Sequence, residues 1–475
     1  MLIVITILIY FAALYIFSRL TNKSSDNDTF FRGNRRSPWY MVAFGMVGAS
    51  ISGVTFVSVP GMVTKIDMTY LQTCLGFILG YLAVAFFLLP VYYRHNLTTI
   101  YSYLGSRLGE TSYKTGAWFF ILSKMTGAAV RFYVVCIILQ RFVFDAVGFP
   151  FGITVVGMVA LIWFYTRRGG IKTLVWTDTF QTTCLFTALL LIIYNVASEL
   201  GLSFGEAVCA VAENPMSRIF EFDDIRSTQY FWKQFLSGIF IVIVMTGLDQ
   251  DMMQKNLTCK TLREAQKDMA TYGVAFVPAN LLFMALGVLL VMLAQVKGVA
   301  LPAQGDELLP MFAASGQLGQ LVVVLFTIGI VAASFSSADS ALTSLTTCCC
   351  VDICQRPSDE LLRRRVHLGL SVLFVVFILL FRAINSTSVI DAIYIMCSYT
   401  YGPLLGLFAF ALLTRRKPFG RMVPFVAVLS PCICYAIDRS AQTLWDYSFG
   451  YELLMLNGFL TFLGLWLGSR KVSLL

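Results

Sequence analysis

Charge is scarce in this sequence. Only 13% of its 475 residues are Asp, Glu, Lys or Arg, about half the share of an average soluble domain. A soluble globule of this size needs more charge than that to cover its surface, so a soluble enzyme and a disordered chain are both excluded. Histidine is scarcer still. His95 and His367 are the only two, and both lie beside basic loops, which argues against a zinc site and a Ser-His-Asp triad. There is no Walker A loop, so ATP is not the obvious energy source. No Cys-x-x-Cys pair with matching histidines occurs. Most of the 12 cysteines sit in apolar runs, and the triplet Cys348-Cys349-Cys350 fits no ordinary disulfide framework, so they read as buried free thiols. The opening stretch MLIVITILIYFAALYIF has no basic n-region and no clear cleavage site, and reads as a retained first helix.

What is abundant is apolar surface. Apolar residues make up 58% of the chain and the mean hydropathy is +0.76. The class is an all-α polytopic membrane protein. A helix needs roughly 20 apolar residues to cross the hydrocarbon. On that basis thirteen spans are predicted, near 2–18, 39–63, 69–93, 115–140, 149–166, 175–198, 231–251, 270–296, 314–347, 366–382, 388–413, 422–437 and 450–469. No separate soluble domain or low-complexity linker interrupts them.

The formal charge of +9 is informative through its sidedness and does not point to nucleic acid. Every second loop is basic. The first holds Arg19, Lys23, Arg32, Arg35 and Arg36. Then come Arg94/Arg107/Lys114, Arg167/Arg168/Lys172, Lys255/Lys260/Arg263/Lys267, Arg356/Arg363/Arg364/Arg365, Arg415/Arg416/Lys417/Arg421 and Arg470/Lys471. Together these hold 25 of the 35 cations. The intervening loops are poor in cations, and the longest, 199–230, is acidic. The positive-inside rule puts the N-terminus outside and the C-terminus in the cytoplasm.

Polar groups at membrane depth are costly unless they face the bundle interior or water, so they mark function. The second span carries Gly45, Gly48, Ser50, Ser52, Gly53, Thr55 and Ser58. These residues permit close helix packing. They also permit a local break that frees main-chain carbonyls, which are hard ligands for Na⁺. In the ninth span, Ser336, Asp339, Ser340 and Thr343 share one helical stripe. That stripe is either a wall for an oxygen-seeking cation or a set of hydroxyls bonded back to their own helix. Asp178, near Gly169-Gly170, Trp176, Thr177 and Gln181, is either a helix cap or a buried carboxylate. Thr246, Gly247 and Asp249 lie deep at the end of the seventh span, whereas Asp251 and Gln254 read as an ordinary helix end ahead of a basic amphipathic stretch, Lys260 to Met269. Lys124 and Arg131 lie on one face of the fourth span, two turns apart. Each can pair with a carboxylate such as Asp178 or hold an anionic substrate.

These clusters, in this order, resemble the sodium:solute symporter family, whose members include transporters of sialic acid, galactose and proline. The motifs carrying the resemblance are Ala333-x-x-Ser336-Ser337-x-Asp339-Ser340, Gly169-Gly170…Trp176-Thr177-Asp178…Gln181, and Asp249-Gln250…Gln254-Lys255 followed by Glu264-Ala265-Gln266-Lys267. The resemblance implies a LeuT-type fold with thirteen transmembrane helices, two inverted five-helix repeats and flanking helices. Residues 1–38 would hold the first helix and a cytoplasmic loop. The first repeat would be 39–230 with its following extracytoplasmic loop, the second 231–414, and 415–475 two accessory helices. Spans two and seven would be broken near the membrane centre.

By position, the resemblance implies a sodium site formed by Gly48, Ile51, Ala333, Ser336 and Ser337, and a second at Asp178, Ser336, Asp339 and Ser340. Asp339 replaces a serine of the sialic acid transporter, and a carboxylate there either binds the ion more tightly or carries a proton. One or two Na⁺ are therefore expected. Ser50, Ser52 and Thr55 match hydroxyls that hold sialic acid, and Arg131 matches a carboxylate-binding arginine. Tyr70, Gln72 and Asp249 complete the expected substrate set. The implied activity is Na⁺-coupled import of a small polar organic solute by alternating access, with a sugar acid such as sialic acid as first choice. The alternatives are a neutral sugar, another small organic solute, or, in a different class, an ion channel. No enzyme activity is expected. The expected location is the cell inner membrane, with lipid and a small-molecule substrate as partners and a monomer as the working unit.

Overall fold

The computed structural model describes residues 2–21, 26–145, 148–314, 316–384, 389–445, 447 and 449–471. Lys23 of the first basic loop, residue 315 in the predicted ninth span and residue 388 at the start of the eleventh lie outside the described residues. The main helices are α1 (Leu2–Thr21), α2 (Trp39–Ser50), α3 (Gly53–Ile66), α4 (Tyr70–Arg94), α5 (Glu110–Leu139), α6 (Phe151–Arg167), α7 (Gly170–Glu199), α8 (Phe231–Gly247), α9 (Gln250–Asn256) and α10 (Leu262–Lys297). They continue with α11 (Gln320–Ile353), α12 (Glu360–Ile384), α13 (Val389–Leu413), α14 (Met422–Trp445) and α15 (Leu453–Leu467). These helices stand over the predicted spans in order. Seven are long and apolar enough to cross a bilayer alone, and the bent pairs α2–α3 and α8–α9 qualify as two more. Helices α1, α6, α13 and α15 add shorter apolar stretches.

The two bends fall where the sequence mixes glycine with polar residues. Between α2 and α3 the axis turns by 61°, and between α8 and α9 by 70°. At the first bend Ile51 leaves the helical region (φ −79°, ψ 85°) and Ser52 becomes the cap of α3, accepting the Thr55 amide at 3.4 Å. At the second, Asp249 caps α9 by accepting the Asp251 amide at 2.8 Å. Capping residues restart a helix because their side-chain oxygens satisfy amides that no preceding turn can reach.

Three local expectations differ from the structure. Helix α10 begins at Leu262, so the basic amphipathic stretch is its first turns and not a separate segment. Between α6 and α7 the chain has no loop. It remains helical apart from a kink at Gly170 (φ 50°, ψ −136°), where a β-carbon would run into the Phe30 ring. The segment after Asp249 turns inward, so Lys255 is 1% exposed and does not belong with the loop cations.

The molecule buries charged residues within its apolar core and exposes large apolar residues on its outside. Lys124, Asp178, Asp249, Asp251, Lys255 and Asp339 are all buried, while Phe87 is 74% exposed and Tyr194 69% exposed. A solvent of hydrocarbon explains that inversion, and the chain is a multi-pass membrane protein. The basic loops meet at one end of the bundle. Arg32 reaches Thr98, Arg107 donates to the Thr414 carbonyl at 2.6 Å, and Asn27 to the Pro357 carbonyl at 2.6 Å. A short antiparallel ribbon, β1 (Arg416–Pro418) with β2 (Ser469–Lys471), lies at the same end. The opposite end carries the Arg218–Asp67 and Lys297–Glu199 pairs, both at 3.2 Å.

Glycines bring α2 and α3 against α7 and α11. A β-carbon on Gly48 would overlap Thr182, and one on Gly53 would overlap Ser334 and Val135. Gly53→Ala is predicted to cost about 1–3 kcal/mol through overpacking and to lower the melting temperature of the purified protein. Gly152→Ala, whose β-carbon meets nothing within 4 Å, is predicted to leave it unchanged.

Candidate functional site

The site begins with the main chain at the first bend. In an unbroken helix the Ser52 amide would donate to the Gly48 carbonyl. Here it turns to the Ser50 carbonyl at 3.1 Å, leaving Gly48 without that partner. The Ala49 carbonyl accepts Ser337 Oγ of α11 at 2.9 Å. Ser336, one residue earlier, donates to Asp178 Oδ1 of α7 at 2.7 Å. Asp178 itself packs on Gly45 of α2, and its carbonyl accepts Thr182 Oγ1 at 2.6 Å. Ser336 and Ser337 of the expected first ion set therefore stand at one junction of α2, α7 and α11, beside the carbonyl that loses its amide at Gly48. Main-chain carbonyls and hydroxyls are the donor set that suits Na⁺ at a broken helix.

The second expected set is also assembled, with a partner that sequence reading missed. Lys255 Nζ lies 2.7 Å from Asp178 Oδ2. Asp339 Oδ2 accepts Tyr165 Oη at 2.5 Å, and Oδ1 accepts Ser340 Oγ at 3.4 Å. Asp178 is thus neither a helix cap nor the partner of Lys124 or Arg131. It lies well inside α7, and its ion-pair partner comes from α9.

Beside this junction lies a cavity of about 130 Å³ lined by Ser50, Ser52, Thr55, Tyr70, Arg131 and Asp249, among others. Six of the seven expected substrate residues are brought together there. Gln72 is not among the lining residues. Its amide accepts the Glu221 N–H at 3.0 Å and donates to the Gln229 carbonyl at 2.9 Å, pinning the long acidic loop. The cavity wall is an interlocked polar set. Ser50 Oγ bonds the Tyr272 hydroxyl, which accepts from Tyr81 at 2.7 Å. Asp249 accepts the Tyr401 hydroxyl at 2.6 Å and lies 3.2 Å from Lys124. Lys124 also pairs with Asp251 at 2.6 Å. Asp251 is therefore not an ordinary helix-end residue, and neither is Gln254, whose amide bridges the Phe31 carbonyl (2.8 Å) and Thr347 (2.9 Å). Arg131 differs from both buried lysines: among the described residues, no acidic side chain pairs with it.

The protein-family model described as "Sodium:solute symporter family" matches residues 30–418. The chain belongs to the sodium:solute symporter family. Among relatives, the sodium/sialic acid symporter of Proteus mirabilis (strain HI4320) is 24% identical over 454 residues, covering 89% of this chain and 86% of its own. The human sodium/iodide cotransporter is 27% identical over 242 residues, 50% of this chain, and the match spans only 36% of that relative's length. A solved substrate-bound, outward-open Na⁺-coupled sialic acid symporter superposes with a TM-score of 0.83 at 19% identity, covering 99% of each chain. That likeness establishes a shared fold, of the LeuT type expected from the family.

For a symporter of this family, Tyr272, Tyr401 and Lys255 are the residues that sequence reading missed. Tyr272 lies in the early turns of α10, in a stretch read as the span's start, where a tyrosine beside Thr271 reads as an ordinary interfacial residue. Lys255 was visible within the Gln254-Lys255 motif but was assigned to a loop. A charge four residues after another buried charge, Asp251, and four before a cysteine, Cys259, was the available signal.

Lys124 neutralises two buried carboxylates. Removing one partner of a buried charged set leaves the rest uncompensated, at about 3–5 kcal/mol. Lys124→Ala is therefore predicted to be strongly destabilised in a thermal melt. Adding Asp249→Asn and Asp251→Asn is predicted to recover much of the loss. A loss unchanged in the triple variant would show that packing, not charge, sets the effect.

Proposed function

We propose that this chain is a Na⁺-coupled symporter that imports a small organic anion by alternating access, with a sugar acid such as sialic acid as the preferred class. The observation that carries this reading is the Ser337 hydroxyl on the Ala49 carbonyl at 2.9 Å, at the point where α2 stops and the Gly48 carbonyl loses its amide. A monovalent ion placed among Gly48, Ile51, Ala333, Ser336 and Ser337 would join the broken helix to α11. That ion would organise Ser50, Ser52 and Thr55, which follow directly in the chain.

The anionic character of the solute rests on Arg131. A guanidinium facing a cavity without an acidic partner favours a ligand that brings its own negative charge, and its two parallel N–H groups suit a carboxylate. Sialic acid and iodide, named for two relatives, are both anions. Tyr70, Ser50, Ser52 and Thr55 would supply neutral hydrogen bonds, and the Lys124-paired Asp249 carboxylate would accept from solute hydroxyls. The cavity is smaller than the roughly 300–1,000 Å³ of sites for drug-sized ligands. A full sugar acid would therefore enter with an opening of the helices around it, as alternating access requires.

The remaining parts of the reading follow from the family and from charge sidedness. The inverted repeats would be 39–230 and 231–414, flanked by 1–38 and 415–475. The basic end would face the cytoplasm of a cell whose inner membrane holds the protein, with the N-terminus outside and a monomer sufficient for transport. Each Na⁺ moved down 100 mV contributes about 2.3 kcal/mol, on the order of 40-fold accumulation before the chemical gradient adds to it. An ion shifts the conformational equilibrium only by its differential affinity for the two states. Joining α2 to α11 in one state and not the other would provide that difference.

Uptake into proteoliposomes under an imposed Na⁺ gradient tests the reading, with sialic acid, other sugar acids and neutral sugars as probes. Ser337→Ala is predicted to fold normally and to raise the half-activating Na⁺ concentration. Unchanged Na⁺ activation would remove Ser337 from the site. Arg131→Ala is predicted to weaken apparent affinity for anions by roughly ten- to hundredfold, the loss of about 1.5–3 kcal/mol of charged hydrogen bonding. An equal loss for neutral solutes would assign Arg131 a structural role.

A further inference from the structure

Asp178 lies where α7, α9 and α11 meet, and both of its oxygens are engaged. Oδ1 accepts Ser336 Oγ and Oδ2 faces Lys255 Nζ, each at 2.7 Å. The Asp178 and Lys255 side chains are 1% and 2% exposed. The ammonium therefore sits, desolvated, on the carboxylate at the centre of the second candidate ion set. The other carboxylate of that set is also occupied by internal donors, with Tyr165 and Ser340 on its two oxygens.

We propose that the Lys255 ammonium is a tethered cation that takes the place of a second Na⁺ at the Asp178–Ser336–Asp339–Ser340 cluster, so that the protein binds a single Na⁺. This rests on the sodium-symport reading and sets its ion count. A Na⁺ bound to Asp178 would lie beside the ammonium with little water between them, and like charges at that separation repel strongly in a low-dielectric interior. The ammonium supplies the positive charge a sodium would bring, and Ser336 carries its effect to the neighbouring Ser337–Ala49 contact. The re-entrant geometry of the chain makes this placement possible. Lys255 is in the last turn of α9, the short segment after the 70° bend, which directs it into the bundle. An ammonium fixed to the chain never crosses the membrane, so it draws nothing from the Na⁺ gradient.

Binding of radioactive sodium to the purified full chain, by equilibrium dialysis across a range of NaCl, tests the proposal. Wild type is predicted to bind one Na⁺ per chain with a Hill slope of about one. Lys255→Met, which leaves the Asp178 carboxylate without its counter-ion, is predicted to bind two with a steeper slope. Two Na⁺ per wild-type chain would overturn the proposal while leaving Na⁺ symport intact, and so would a count of one for Lys255→Met. No Na⁺ bound by wild type would overturn the symport reading and the proposal with it. If Lys255→Met does not fold, the wild-type count still decides. The neutral pair Lys255→Met/Asp178→Asn is then predicted to bind one, and a count of two there would overturn the assignment of Asp178 as the carboxylate that the second ion would need.

Discussion

A helix that stops in the middle of a packed bundle leaves main-chain oxygens without amide partners, and those oxygens must be satisfied by something. In this protein α2 stops at Ser50, the Ser52 amide folds back on the Ser50 carbonyl, and Ser337 of α11 donates to Ala49. The rest of the interior is arranged around that junction. Gly45, Gly48 and Gly53 have no side chains because Asp178, Thr182 and Ser334 occupy the space that β-carbons would fill. The cavity-lining hydroxyls, Ser50, Ser52 and Thr55, flank the same break. An event at the candidate ion-binding oxygens and an event at the cavity wall would therefore involve the same few residues of chain.

The second bend places charge where the first exposes dipoles. After Asp249 caps α9, Asp251 meets Lys124 and Lys255 meets Asp178. Opposite charges thus run from the cavity wall to the edge of the ion set, each cation against a carboxylate at 2.6 or 2.7 Å. Pairing at that depth offsets a desolvation cost that unpaired charges would not survive. Arg131 stands outside this pattern. Among the described residues it has no acidic partner on the cavity wall, and that is the ground for proposing an anionic solute.

Much of this was legible in the sequence, and the exceptions have physical reasons. Hydropathy located the helices because lipid selects for apolar composition along each one. The hydroxyl and carboxylate clusters were legible because polar groups are rare at depth, and the residues around Gly48, Ser337 and Asp178 do converge. Lys255 was not legible as a buried residue because α9 is only seven residues long and polar. Its inward course depends on the bend at Leu248, which leaves no hydropathy signal. Gln72 was grouped with Tyr70 because the two are neighbours in sequence, yet one faces the cavity and the other the acidic loop. The kink at Gly170 was read as a loop because the basic residues flanking it resemble a membrane boundary.

The most direct test of the account is a pair of cryo-electron microscopy maps of the purified protein, one in NaCl and one in choline chloride. The account predicts a helix interrupted between Ser50 and Gly53 in both. In sodium alone it predicts an ion-sized feature held by the carbonyls of Gly48, Ile51 and Ala333 and the hydroxyls of Ser336 and Ser337. A helix that winds continuously through Ser50–Gly53, or identical density at those oxygens in the two salts, would contradict it.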